Sequence, residues 1–160
     1  MAGYGRDAQQ VVPLTAAARS VELAEAAVSA AADKQATDLM IIDVSEQLVI
    51  TDCFVLASAA NERQVRAVAE AIEERLLTMK AKPVRREGQQ EGRWVLLDFI
   101  DIVVHVQHAE ERTYYALDRL WKDCPMLPLP ADALPPAAAT EPPAAATEPP
   151  AAGAQPPTAS

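Results

Sequence analysis

Asp98, Asp101 and His105 are the residues whose types and spacing come nearest to chemistry. They fall in the stretch Glu91 to His108, EGRWVLLDFIDIVVHVQH, where strand alternation puts all three on one face. Two carboxylates and an imidazole can bind a metal ion or pass a proton. Aspartates flanking a turn are also ordinary turn-formers, because their side chains bond to nearby backbone amides. Other nucleophiles lack support. Cys53 lies in an apolar strand and Cys124 precedes a proline at a helix end, neither with a histidine close in sequence. Ser58 stands at a strand-to-helix junction, but the sequence there is Leu-Ala-Ser-Ala-Ala, without the glycines of a nucleophile elbow or a phosphate loop. His108, just before a helix, reads as a surface or capping residue. Trp94 differs from the other aromatics: it shares its face with Asp, His and Gln, which predicts a partly exposed tryptophan suited to anchoring an interface.

The element that must position these residues is a β-hairpin, since β-branched and aromatic residues fill both halves of the stretch. A two-residue turn at Phe99 and Ile100 would pair Asp98 with Asp101, Leu96 with Val103 and Trp94 with His105. Val95, Leu97, Ile102, Val104 and Val106 then form a wholly aliphatic core face. Trp94, Leu96, Asp98, Asp101, Val103, His105 and Gln107 form the opposite, mixed face, with Phe99 and Ile100 adding apolar area at the turn.

Around the hairpin the chain reads as helix, strand, strand, helix, hairpin, helix. An alanine-rich helix is expected from Thr15 or Ser20 to about Lys34, and a strand at Leu39 to Val44. A further strand is expected at Cys53 to Ser58, preceded by Thr51 and Asp52 as turn residues bonding local amides. Asn61 is an N-cap, and Val65, Val68, Ala69, Ile72, Leu76 and Met79 give the helix after it an apolar stripe, with Glu62 and Arg66 as an i,i+4 pair. Lys82-Pro83 stops that helix, and Val84 to Gly92 is a polar connection. Ala109 to Lys122 regains helical spacing until Pro125. The expected architecture is α/β, a small mixed sheet flanked by helices. Its boundaries are a flexible leader at 1–14, a domain at 15–127 and a disordered, dispensable Pro/Ala-rich tail at 128–160, where PPAAATE repeats.

Composition narrows the function classes. A formal net charge of -9 disfavours direct contact with DNA or RNA phosphates but permits docking on a basic protein. Two cysteines without metal or redox spacing fit a reducing cytoplasm. A signal peptide and an apolar run of the roughly 18 residues that a membrane span needs are not expected.

Three blocks, TDCFVLASAANERQVRAVAEAIEE, EGRWVLLDFIDIVVHVQH and EERTYYALDRLWKDCP, together resemble the ribosomal silencing factor family, also called Iojap, from about Leu39 to Pro125. The resemblance implies a nucleotidyltransferase-like α/β fold without catalysis, cofactor or metal. It implies binding to L14, the fourteenth protein of the large ribosomal subunit, which blocks joining of the small subunit and represses translation under nutrient limitation. Free members are generally homodimers. Carried over by position, Trp94, Leu96, Asp98, Phe99, Asp101 and His105 belong to the docking surface, with Asn61 to Gln64, Glu111, Arg112 and Tyr115 as further family marks. Most relatives have glycine where Ile100 stands, so a positive φ in that turn would strain isoleucine. The competing reading is a divergent nucleotidyltransferase with Asp98 and Asp101 on Mg²⁺. The Gly-Ser loop and Asp-x-Asp pair of a working enzyme are not in the sequence.

Overall fold

The computed structural model describes residues 16–134. The leader expected at 1–14 and the PPAAATE repeats lie outside them. The elements are α1 (Ala18–Asp33), β1 (Thr37–Asp43), β2 (Cys53–Ala59), α2 (Glu62–Leu77), β3 (Arg85–Glu87), β4 (Trp94–Asp98), β5 (Ile102–His108), α3 (Ala109–Tyr115), α4 (Leu117–Leu120), β6 (Met126–Leu127) and a 3₁₀ turn at Ala131–Ala133. The strands form one mixed sheet in the order β3-β4-β5-β2-β1-β6, with β2 and β5 parallel and the other neighbours antiparallel. The expected α/β architecture is therefore present.

Burial along the strands follows from this order. All of β2 is buried, as a central strand covered on both faces must be, and its residues other than Ser58 are correspondingly apolar. Helices α1 and α2 pack on one face of the sheet, burying Leu23, Val28, Val65, Val68, Ile72 and Leu76 against Val55, Val95, Leu97, Val104 and Val106. A smaller cluster of Ile42, Val44, Phe54, Leu56 and Cys124, with Leu117 and Trp121 against it, covers the other face near β1 and β2. That cover stops short of β4, whose outward residues Trp94, Leu96 and Asp98 are only half-buried.

The caps are built partly as the sequence predicts. Asn61 Oδ1 accepts the Gln64 N–H at 2.9 Å, and His108 Nδ1 accepts the Glu110 N–H at 3.1 Å at the head of α3. Helix α1 has no capping side chain of its own; Asp52 Oδ2 accepts from the Ala17 N–H at 3.1 Å and from Ser20 Oγ at 2.8 Å. Asp52 is thus a tertiary cap and not a local turn residue. Glu62 and Arg66 do not pair with each other: Glu62 takes Arg93 Nη1 at 3.1 Å, and Arg66 Nη1 reaches the Gln90 carbonyl at 3.1 Å.

Three further expectations are corrected. The polar connection contains the edge strand β3, whose Arg85, Arg86 and Glu87 are all exposed and so carry no hydrophobic signal. Gly88 makes its pairing possible, because a Cβ there, at φ +85°, would sit 1.9 Å from the Trp94 carbonyl oxygen. The single helix expected from Ala109 to Lys122 is divided, since Ala116 adopts a left-handed φ of +46°. Finally, the first residues of the expected tail belong to the domain: Ala133 is buried, Leu129 packs on the α1 side of the core, and Asp132 accepts Ser29 Oγ at 2.7 Å.

Candidate functional site

The hairpin register decides what the outer face of β4 and β5 presents. Asp98 pairs with Val103, Leu96 with His105 and Trp94 with Gln107. The connection is therefore displaced from the expected turn at Phe99 and Ile100, and each partner moves by two positions. A shift of two preserves strand parity, so the predicted faces survive. Val95, Leu97, Ile102, Val104 and Val106 are fully buried, as expected. The turn itself is held by Asp98 Oδ1, which accepts the Ile100 N–H at 2.8 Å, and by the Phe99 N–H bonding the Ile102 carbonyl at 2.9 Å. Ile100 has φ +72°, the left-handed conformation that strains a β-branched residue.

On the outer face the aromatic side chains form a connected row. Trp94 lies against Tyr115 of α3 with ring centroids 4.8 Å apart, and Tyr115 meets Tyr114 edge-on at 4.8 Å. On its other side the Trp94 indole N–H donates to His105 Nδ1 at 3.1 Å. His105 meets Phe54 of β2 at 5.2 Å, and Phe54 meets Trp121 at 5.3 Å. Since Nδ1 accepts, the ring proton of neutral His105 resides on Nε2, which is buried and has no hydrogen-bond partner among the described residues. Burial pushes the His105 pKa down to about 4, so the ring is neutral at physiological pH. Trp94 is thereby fixed from both sides while part of it stays accessible.

Helix α3 is anchored at its start by Arg93, whose guanidinium bonds Glu111 at 2.7 Å, Glu110 at 2.9 Å and Glu62 of α2 at 3.1 Å. These bonds raise the Arg93 pKa above its ordinary value and hold Glu110 below its own. Arg112 adds a buried tie, with Nη1 donating to Ser58 Oγ at 2.9 Å. Together they keep Tyr115 beside Trp94.

Of the residues expected on a docking surface, Trp94, Leu96 and Asp98 are half-buried and Asp101 is exposed. Phe99 and His105 are not surface residues: Phe99 is 6% exposed and belongs to the core, and His105 is 7% exposed beneath Trp94. Gln107, also read onto that face, is fully buried. The covering aromatics explain the difference, because Phe54 and Trp94 close over the β5 side of the face. Tyr114, 79% exposed, extends the apolar surface beyond what hairpin alternation showed.

As a chemical site the face is sparse. Asp98 is occupied in the turn, and among the described residues no group of three His, Cys, Asp or Glu is arranged to hold a metal ion. Burial first, then Asp43 and Asp52, push the Cys53 thiol up to about 12, far from a reactive thiolate. What the arrangement offers is a rigid tryptophan with an acidic rim, suited to binding another surface.

Comparison with known proteins agrees with this architecture. A family model described as "Ribosomal silencing factor during starvation" matches residues 17–155. The chain is 37% identical to the ribosomal silencing factor of Halalkalibacterium halodurans over 68% of its own length and 92% of the relative. It is 29% identical to the mouse protein named "Mitochondrial assembly of ribosomal large subunit protein 1", over 59% of this chain and 42% of that one. Among solved structures, a crystal structure from Chromobacterium violaceum superposes with a TM-score of 0.61 at 32% identity, covering 63% of this chain and 84% of that one. With the family model spanning most of the chain and the fold shared, the protein belongs to the ribosomal silencing factor family.

Proposed function

We propose that the protein is a translation regulator that docks on the large ribosomal subunit through the Trp94 face and blocks joining of the small subunit under nutrient limitation. Its partner in this reading is the basic surface of L14, and no bond is made or broken. The observation that carries the docking site is Trp94 itself, pinned between Tyr115 and His105 yet partly accessible. A preorganised aromatic anchor loses little entropy on binding, which is how hot-spot residues contribute most of an interface's energy. Leu96 would extend the apolar centre, and Asp98 and Asp101 would form the acidic rim toward a basic partner. The free protein is a homodimer in the cytoplasm in this reading, and it needs no cofactor.

The test is co-sedimentation of the purified chain with large subunits and with assembled ribosomes. Wild type is expected to bind the former only. Trp94→Ala, with its circular dichroism spectrum unchanged, should weaken binding by at least ~2 kcal/mol, the usual size of a hot-spot loss. Full binding by a folded Trp94→Ala protein would remove the site from this face. Light scattering on the same variant separates a docking role from a role in dimerisation.

A further inference from the structure

Away from the Trp94 face, a cavity of about 480 Å³ opens between the start of β1 and the junction of α3 with α4. Its walls include Asp38, Met40, Arg112, Ala116, Asp118 and Arg119. Arg112 is 7% exposed, and its guanidinium spends one N–H on Ser58 Oγ. Among the described residues no carboxylate lies within ion-pair distance of it. Burial lowers its pKa, while Asp118 and Asp38 act in the opposite direction and are therefore close enough to be felt. An arginine presents five donors and does not shed its charge in a protein, so a buried one normally finds a carboxylate or phosphate.

The other charges on the wall are equally unspent. Among the described residues neither Asp38, Asp118 nor Arg119 forms an ion pair within 4.0 Å, although each lines the same space as a group of opposite sign. The backbone holds them apart: Asp38 sits at φ +50° in the irregularity between Thr37 and Met40, and Ala116 at φ +46° separates Arg112 from Asp118 and Arg119. The formal charges cancel. A simple anion attracted to the arginines would meet the aspartates, and a simple cation would meet the reverse. A guest carrying both charges a few bonds apart satisfies both pairs, and the volume is within the range of small-molecule sites.

We propose that this cavity is a binding site for a free α-amino acid, its carboxylate on the Arg112 fork with Arg119 and its ammonium against Asp38 and Asp118. The assignment does not depend on docking to the ribosome, and binding to the free protein tests it. Titration calorimetry of the full chain against the standard amino acids, one at a time, should show binding by at least one. The N-acetyl and the carboxamide derivatives of that amino acid each lack one charge and should bind at least about tenfold more weakly, as should the wild-type ligand to Asp118→Asn and Arg119→Gln. These positions are partly or fully open to solvent, so the variants avoid removing the buried Arg112. The assignment is overturned by absence of binding at about 10 mM of every amino acid, by equal binding of either derivative, or by unchanged affinity in both charge variants.

Discussion

Ile100 and His105 show two different costs carried by single residues of the hairpin. At φ +72° the isoleucine Cβ crowds the backbone, a conformation that costs an L-residue about 1–2 kcal/mol. Glycine would remove that strain and return part of the gain as chain entropy, roughly 0.5–1 kcal/mol. Ile100→Gly is therefore expected to stabilise the fold by up to about 1 kcal/mol, read as a higher urea midpoint at constant slope. His105 gives a pH dependence of definite sign. Its folded pKa of about 4 lies below its ordinary 6.5, so the unfolded chain takes the proton first. Stability is full above pH 6.5, falls as pH drops from there toward 4, and does not fall further on this account below it. At pH 5 the loss should be about 2 kcal/mol, at about 1.4 kcal/mol per pH unit. Denaturation of wild type and His105→Gln across this window isolates the effect, because the variant lacks that component of the slope.

At the scale of elements, the domain closes on itself with a segment that composition assigns to the tail. Pro130 to Leu134 turns back so that Ala133 enters the core and Asp132 accepts the Ser29 hydroxyl. A chain ending at Leu134 should be as stable as the full chain. One ending at Leu127 loses the Leu129 and Ala133 contacts and the Ser29 bond, and should be less stable by roughly 2–3 kcal/mol. Thermal unfolding of the two truncations against the full chain measures the difference. The break at Ala116 has a comparable local meaning: it ends α3 just after Tyr115, so the tyrosine faces Trp94 while the chain turns to bring Trp121 over Phe54.

The whole molecule contributes its charge. At -9 it is drawn toward a basic protein surface and repelled by exposed phosphates, so in the docking reading long-range attraction speeds encounter while Trp94 sets residence time. Raising salt from about 0.05 to 0.5 M shortens the screening length and should slow association severalfold, with a much smaller effect on dissociation. Surface plasmon resonance with immobilised large subunits separates the two rates. Dissociation should instead respond to Trp94→Ala.

Apolar periodicity by itself determined α2, the central strands and the two faces of the hairpin, because each is a pattern repeated over neighbouring residues with large burial behind it. Those patterns placed Val95, Leu97, Val104 and Val106 inside and Trp94 outside, and the structure agrees. The three sequence blocks also carried the family. Tertiary structure alone decided the rest. The burial of His105, Gln107 and Phe99 depends on aromatic covers supplied by β2 and the Trp94 ring, and on the course of the turn. The capping of α1 by Asp52 and the strand β3 depend on partners distant in sequence. A residue's alternation tells which side of a strand it leaves from; only the chain that returns over that side determines whether it meets water.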